Sequence, residues 1–186
     1  MPISQLNKKW ITGDGGPLIL MEQRLLPFWE GADEPANGRT VEAEFRWGSE
    51  VATDYDRACD IGTFAGVIEV GPGSALVLNT DGDAMATWLP PTEVNEGVII
   101  EWAYADSEDQ LISEAYRWLR NGAIDVISDF KVETSPLVLF VSAEAGDDTI
   151  YDRQIFEIQP GPYEVASGGQ VTDTTSVVWH RFRLKN

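Results

Sequence analysis

Residues 55–60 read Tyr-Asp-Arg-Ala-Cys-Asp, which puts a phenol, two carboxylates, a guanidinium and the chain's single thiol within six positions. Such a set has the parts for acid–base or covalent chemistry, with Asp56 as base, Arg57 as anion clamp and Cys59 as nucleophile. A nucleophilic thiol, however, needs a neighbouring base or cation that favours the thiolate. The one histidine, His180, lies 121 residues further on, on the apolar side of an expected strand, and no local signature links it to Cys59. Tyr-Asp-Arg also recurs at Tyr151, Asp152 and Arg153, where Gln154 and Ile155 follow instead of the alanine and the thiol. A triplet repeated without its nucleophile points to architecture. The tyrosine supplies buried surface with a hydrogen-bonding tip, the Asp and Arg pair or tie down backbone, and Cys59 is expected as a small buried side chain.

Other short stretches end in turns rather than sites. Residues 12–17, Thr-Gly-Asp-Gly-Gly-Pro, lack the lysine and hydroxyl of a phosphate loop and precede a strand, so Gly15, Gly16 and Pro17 read as a tight turn. Asn79–Asp83 lacks the ligand spacing and distal glutamate of a calcium loop and reads as a hairpin turn around Asp81-Gly82. Neither a metalloprotease helix motif, nor paired cysteines, nor a nucleophile elbow occurs. The reading therefore assigns no catalytic residue, no cofactor and no metal, and takes the protein as a non-enzyme. An enzyme using carboxylates and a metal would need a positioned set, and nothing singles out one cluster among 31 acids.

The elements that hold these residues are mostly strands. Thr40–Trp47 alternates apolar and polar side chains. Val98, Ile100, Trp102 and Tyr104 share one face of a second strand, and Val178, His180, Phe182 and Leu184 one face of a third. Short apolar runs follow Gly16-Pro17, Gly73-Ser74 and Ser135-Pro136. One segment has helical spacing, about 107–121. Ser107 stands at its cap, Glu108 and Asp109 in its first turn, Arg117 and Arg120 in its last, and Gly122 at its stop. Leu111, Ile112, Ala115, Tyr116 and Leu119 make its apolar stripe. A helical turn within Glu22–Gly31 is weakened by Pro27. Trp10 and most of the seven tryptophans read as packing residues.

Four marks occur in the same order in both halves. Gly16–Leu20 matches Ser135–Leu139, and the first Tyr-Asp-Arg matches the second. Ile68–Leu78 matches Phe156–Ala166, and Val98–Tyr104 matches Val177–Arg183. The ordered set argues for a duplication. The expected fold is α+β and β-dominated: two pseudo-repeated antiparallel halves, about 10–104 and 130–184, joined through the helix and sharing one core as a single domain over 1–186.

The charge is the strongest global signal, at −18. Such a surface repels nucleic acid and attracts basic proteins. From Arg57 to Arg117 no lysine or arginine intervenes, and eleven acids do. No apolar run is long enough for a bilayer-crossing helix, no secretory leader precedes Trp10, and a single cysteine fits a reducing compartment, so the reading places the protein in the cytoplasm. Partner contacts are assigned to acids in expected loops and at the helix start: Asp81, Asp83, Glu93, Glu96, Asp106, Glu108 and Asp109.

Several stretches taken together resemble a known family. They are Trp10–Leu20, Leu25–Gly31 (Leu-Leu-Pro-Phe-Trp-Glu-Gly), Asp54–Asp60, Gly66–Leu78, Thr87–Pro90, Ser135–Asp147 and Pro160–Val165. In number and order they are similar to the immunity protein 21 family, associated with bacterial polymorphic toxins, and residues 32–53 look like an insertion in that pattern. The resemblance implies a cytosolic protein that binds and neutralises a cognate toxin domain. The alternative is a housekeeping interaction protein, such as an inhibitor of an endogenous nuclease. The charge, independently of the family, fits a basic toxin such as a nuclease.

Overall fold

The short apolar runs of the sequence become the most deeply buried strands. A computed structural model describes residues 8–13, 16–32, 52–79, 85–93, 96–121, 124–146 and 152–185. Within them lie β1 (Ile11–Thr12), β2 (Leu18–Glu22), a 3-10 helix (Gln23–Phe28), α1 (Asp54–Cys59), β3 (Ala65–Val70), β4 (Gly73–Leu78), β5 (Met85–Glu93) and β6 (Glu96–Ala105). Then come α2 (Glu108–Asn121), β7 (Val126–Val132), β8 (Leu137–Val141), β9 (Arg153–Phe156), β10 (Gly161–Val171) and β11 (Thr175–Leu184). The expected strand Thr40–Trp47, Gly15, Asp81, Asp83, Gly122 and Tyr151 lie outside the described residues.

Two antiparallel sheets face each other. One runs β1-β5-β6-β11-β10-β7 and the other β3-β4-β2-β8-β9. The protein is α+β and β-dominated. Leu18, Leu20, Leu76, Leu139, Ile99, Val165, Phe130 and Phe182 fill the space between the sheets. Trp88 stacks on Phe156 at 4.4 Å there, and the Gln154 side chain accepts from the Trp88 backbone N–H at 2.8 Å, tying β9 to β5. Each sheet is also covered on its outer side. Leu111, Ile112 and Ala115 of α2 pack on Val98, Ile100, Val177 and Trp179 of the first sheet. Leu25, Leu26, Trp29 and Ala58, from the 3-10 helix and α1, pack on Ile19, Met21, Val77, Val138 and Phe140 of the second. Cover on both faces explains why β2 and β8 are buried at every position and carry no alternation.

The helix forms as its caps require. The Gln110 backbone N–H donates to the Ser107 hydroxyl at 3.2 Å, satisfying one of the free donors of the first turn. At the other end Arg181 of β11 donates to the Leu119 carbonyl at 3.3 Å, a cation at the negative helix terminus. Burial of Leu111 and Ile112 stabilises the attachment by roughly 1.5–3 kcal/mol each.

Strands of the two sequence halves interleave. Matched strands lie side by side, β2 with β8 (Leu20 opposite Leu139) and β6 with β11 (Ile100 opposite Trp179). The third match diverges. β3 and β4 form a hairpin in one sheet, closed at Gly71 with φ +51°, whereas β9 and β10 belong to different sheets. Residues 157–160 make the difference, because four extended residues reach about 13 Å and span the ~10 Å between sheets, and a two-residue turn does not. The Tyr-Asp-Arg triplets differ too: the first is helical, and in the second Asp152 sits in a bend and Arg153 opens β9. α1 itself was missed by spacing, since six residues show no helical period.

Candidate functional site

Tyr55, Asp56, Arg57 and Cys59 resolve into fastenings. Thr53 caps α1: its hydroxyl accepts from the Asp56 N–H at 3.2 Å, and the Asp56 carboxylate accepts from the Thr53 N–H at 2.9 Å, closing a capping box. Of the two roles expected for Asp56 and Arg57, pairing or tying down backbone, Asp56 takes the second through the Thr53 N–H, and Arg57 pairs with Asp54 rather than with Asp56. Buried Asp54 also accepts from the Glu30 N–H at 2.9 Å, which docks α1 on the strand-to-loop connection before it. The Tyr55 ring lies under Gly16 (φ +145°), where a Cβ would come within 2.8 Å of it. Burial pushes the Tyr55 phenol up to about 12.

Cys59 is half-buried rather than enclosed. Its thiol is pushed up, first by burial and then, against a lowering hydrogen bond from Tyr55, by the carboxylates of Asp56 and Asp60. All but the tyrosine disfavour the thiolate, the opposite of what a nucleophile needs. In the second triplet, Asp152 pairs with Lys9 at 3.2 Å. Trp10 meets Trp102 edge-on at 5.3 Å, so both serve packing above the first sheet.

A second constellation was hidden from sequence reasoning. His180 is fully buried. Its Nε2 lies 2.8 Å from Glu101 Oε1 and its Nδ1 2.8 Å from Ser167 Oγ. The chain Ser–His–Glu crosses β10, β11 and β6, and Ser167 stands directly opposite His180 in the ladder. Only the three strands' register reveals it, because Glu101 and Ser167 lie 66 residues apart. Two features set it apart from a hydrolase triad. There the serine bonds Nε2 and the acid Nδ1, whereas here the nitrogens are exchanged. All three side chains are at most 2% exposed, so the Ser167 hydroxyl faces the core. Glu101, one of the acids assigned to the charged interval, is thereby removed from the surface.

The assigned contact acids separate into groups. Asp106 and Asp109 are exposed at the start of α2, and Glu108, half-buried between them, pairs with Lys8. Glu93 and Glu96 are register partners at the β5–β6 hairpin end. β6 runs ten residues between these groups, which sets them about 30 Å apart. Among the described residues no group of three or more His, Cys, Asp or Glu is arranged to hold a metal ion, and no helix is long and apolar enough to cross a membrane.

The molecule is thus a two-sheet α+β protein whose conspicuous polar clusters are fastened inward and which exposes Asp106 and Asp109 at the start of α2. The sequence model of the immunity protein 21 family matches residues 9–176, nearly the whole chain, and the protein belongs to that family. No curated protein and no solved structure matches it. Immunity protein families are generally non-enzymatic, and membership implies a cognate toxin as partner.

Proposed function

We propose that this protein binds its cognate toxin domain in the cytoplasm and neutralises it by covering a basic functional surface, such as the nucleic-acid groove of a nuclease. Family membership supports the immunity role. The observation that carries the basic partner is the charge of −18, together with exposed Asp106 and Asp109 that no cation among the described residues neutralises. Such a surface accelerates encounter with a cationic face and competes there with phosphates. Of the assigned contacts, Asp106, Glu108 and Asp109 form one compact group, and Asp81, Asp83, Glu93 and Glu96 complete the proposed acidic surface.

Co-expression with the toxin domain encoded beside this gene tests the role directly: growth is rescued and the two proteins co-purify. Reversing Asp106 and Asp109 to lysine is expected to slow association about tenfold at low salt and much less at 0.5 M salt, with folding stability lowered by no more than about 2 kcal/mol, because Asp109 lies in the first turn of α2. An association rate unaffected by both salt and charge reversal removes the electrostatic reading and leaves the immunity role standing.

A further inference from the structure

The far end of the first sheet exposes apolar side chains that serve no packing purpose. Val171 is 67% exposed and Tyr104 43% exposed. They lie 67 positions apart in the sequence, yet both face Ser176, Tyr104 from β6 and Val171 from β10, so one strand separates them. The Tyr104 hydroxyl reaches over that strand and donates to the Thr172 carbonyl. The β10–β11 turn is itself stiffened. Thr172 N–H donates to the Thr175 carbonyl at 2.7 Å, and the Thr172 hydroxyl accepts from the N–H groups of Thr174 (3.3 Å) and Thr175 (3.0 Å). An aromatic and an aliphatic side chain are thus held in water on a hydrogen-bonded tip.

Acids stand close to this spot along the chain. Asp106 and Asp109 follow Tyr104 within five residues, and Asp173 occupies the turn; all three are exposed. Among the described residues none of them has an ion-pair partner.

We infer that Tyr104 and Val171 form the apolar centre of the toxin-binding surface, with Asp106, Asp109 and Asp173 as its charged rim. The occupant is a basic face of the toxin domain that presents a shallow apolar depression ringed by lysine or arginine. This rests on the immunity reading above and adds to it a position and an anchor that the charge alone does not supply. The arrangement is that of effective protein interfaces, a small preordered aromatic and aliphatic centre inside a charged rim. The hydroxyl tie and the threonine turn reduce the ordering cost of binding, because the side chains are placed before the partner arrives. The negative rim names the sign of the partner. A second copy of this chain is disfavoured as occupant, since it would bring a further −18 against the same acids.

The test measures the affinity of the full chain for the adjacently encoded toxin domain, rendered inactive, by surface plasmon resonance. Tyr104→Ala and Val171→Ser are each expected to weaken binding by about tenfold, mainly through faster dissociation. Tyr104→Phe, which keeps the ring, is expected to lose no more than about threefold. Phe28→Ala serves as control: Phe28 is 50% exposed, but on the 3-10 helix outside the other sheet, and its removal is expected to leave affinity within twofold. Circular dichroism and thermal melting of every variant confirm folding. Wild-type binding that is indifferent to both Tyr104→Ala and Val171→Ser overturns this assignment while the immunity role survives. Failure of the wild-type chain to bind or to rescue growth overturns the role as well. Self-association abolished by Val171→Ser with toxin affinity unchanged reassigns the face to a second copy, and also overturns the assignment.

Discussion

Glu22, at the end of β2, offers the sharpest test of how the fold is fastened. Its side chain is 4% exposed. Its two oxygens accept four hydrogen bonds: Glu133 N–H at 2.7 Å, Thr134 N–H at 3.1 Å, the Thr134 hydroxyl at 2.5 Å and Arg24 Nε at 2.6 Å. One carboxylate thereby ties β2 and the 3-10 helix to the turn after β7. Burial pushes the Glu22 carboxyl up, but the bonds from Thr134, Glu133 and Arg24 outweigh it and hold the group below its ordinary value. The substitution Glu22→Gln keeps the volume and one acceptor oxygen. It replaces the other by an amide that faces donors. Charge-assisted bonds contribute roughly 1.5–3 kcal/mol each and neutral ones roughly 1. Loss of charge from two to three of them, with one donor left unmet, gives an expected destabilisation of about 2–4 kcal/mol at pH 7.

The pH dependence discriminates this account from simple loss of packing. A carboxyl whose folded pKa is depressed contributes stability that is fully present above the unfolded value, about 4.3. That contribution is lost as pH falls from there through the folded value. Wild-type Glu22, once protonated, resembles glutamine. The difference between wild type and Glu22→Gln is therefore expected to be largest at pH 7 and to shrink below pH 4. Urea unfolding followed by tryptophan fluorescence at pH 7, 5 and 3 measures it. A difference that stays constant across this range, or one below about 0.5 kcal/mol at pH 7, refutes the carboxylate clamp.

Two further tests probe the interior. Glu101→Leu removes one partner of the buried Ser167–His180–Glu101 chain and is expected to cost about 3–5 kcal/mol; adding His180→Leu is expected to recover part of that loss, because the imidazole is no longer left without its carboxylate and only the Ser167 hydroxyl then loses its partner. Gly146→Ala sets a Cβ into the Leu26 carbonyl oxygen, backbone that cannot step aside as a side chain can, so a loss of about 3 kcal/mol or more is expected in thermal melting.

How far the sequence could be read depended on whether a feature was local. α2 was legible from Ser107 to Arg120, because its cap, charges and stripe all lie within one segment. The face of β11 was legible too: Phe182 and Leu184 point between the sheets, as alternation requires. β6 was only half legible. Val98, Ile100 and Trp102 pack under α2, but Ile99 and Glu101 on the opposite face are buried as well, since a second sheet covers them. Alternation cannot announce a strand that is covered on both sides. The Ser167–His180–Glu101 chain and the Tyr104–Val171 pair were not legible at all. Both are made by strand register, which brings together residues 13–79 positions apart.

The segments that carry the family resemblance are occupied with one another. The Trp29 indole N–H donates to the Ser142 carbonyl at 3.0 Å, and the Gly146 N–H to the Trp29 carbonyl at 3.1 Å. A Cβ at Gly31 would lie 2.5 Å from the Ala143 carbonyl oxygen. Leu25–Gly31, Asp54–Asp60 and Ser142–Gly146 thus form a single interlocked corner whose demands are steric. Trp29 is 3% exposed and Tyr55 8%, so these two have little surface left with which to read a partner, and of the large apolar side chains in Leu25–Gly31 only Phe28 is exposed. A protein recognised through such a corner is recognised by its fold. Discrimination among toxins then has to come from side chains that the fold leaves free, and among the described residues Val171 is the most exposed large apolar one. On this reasoning, exchanging the β10–β11 turn and Tyr104 between members of the family should move toxin preference with them. Exchanging the Leu25–Gly31 corner should change stability alone.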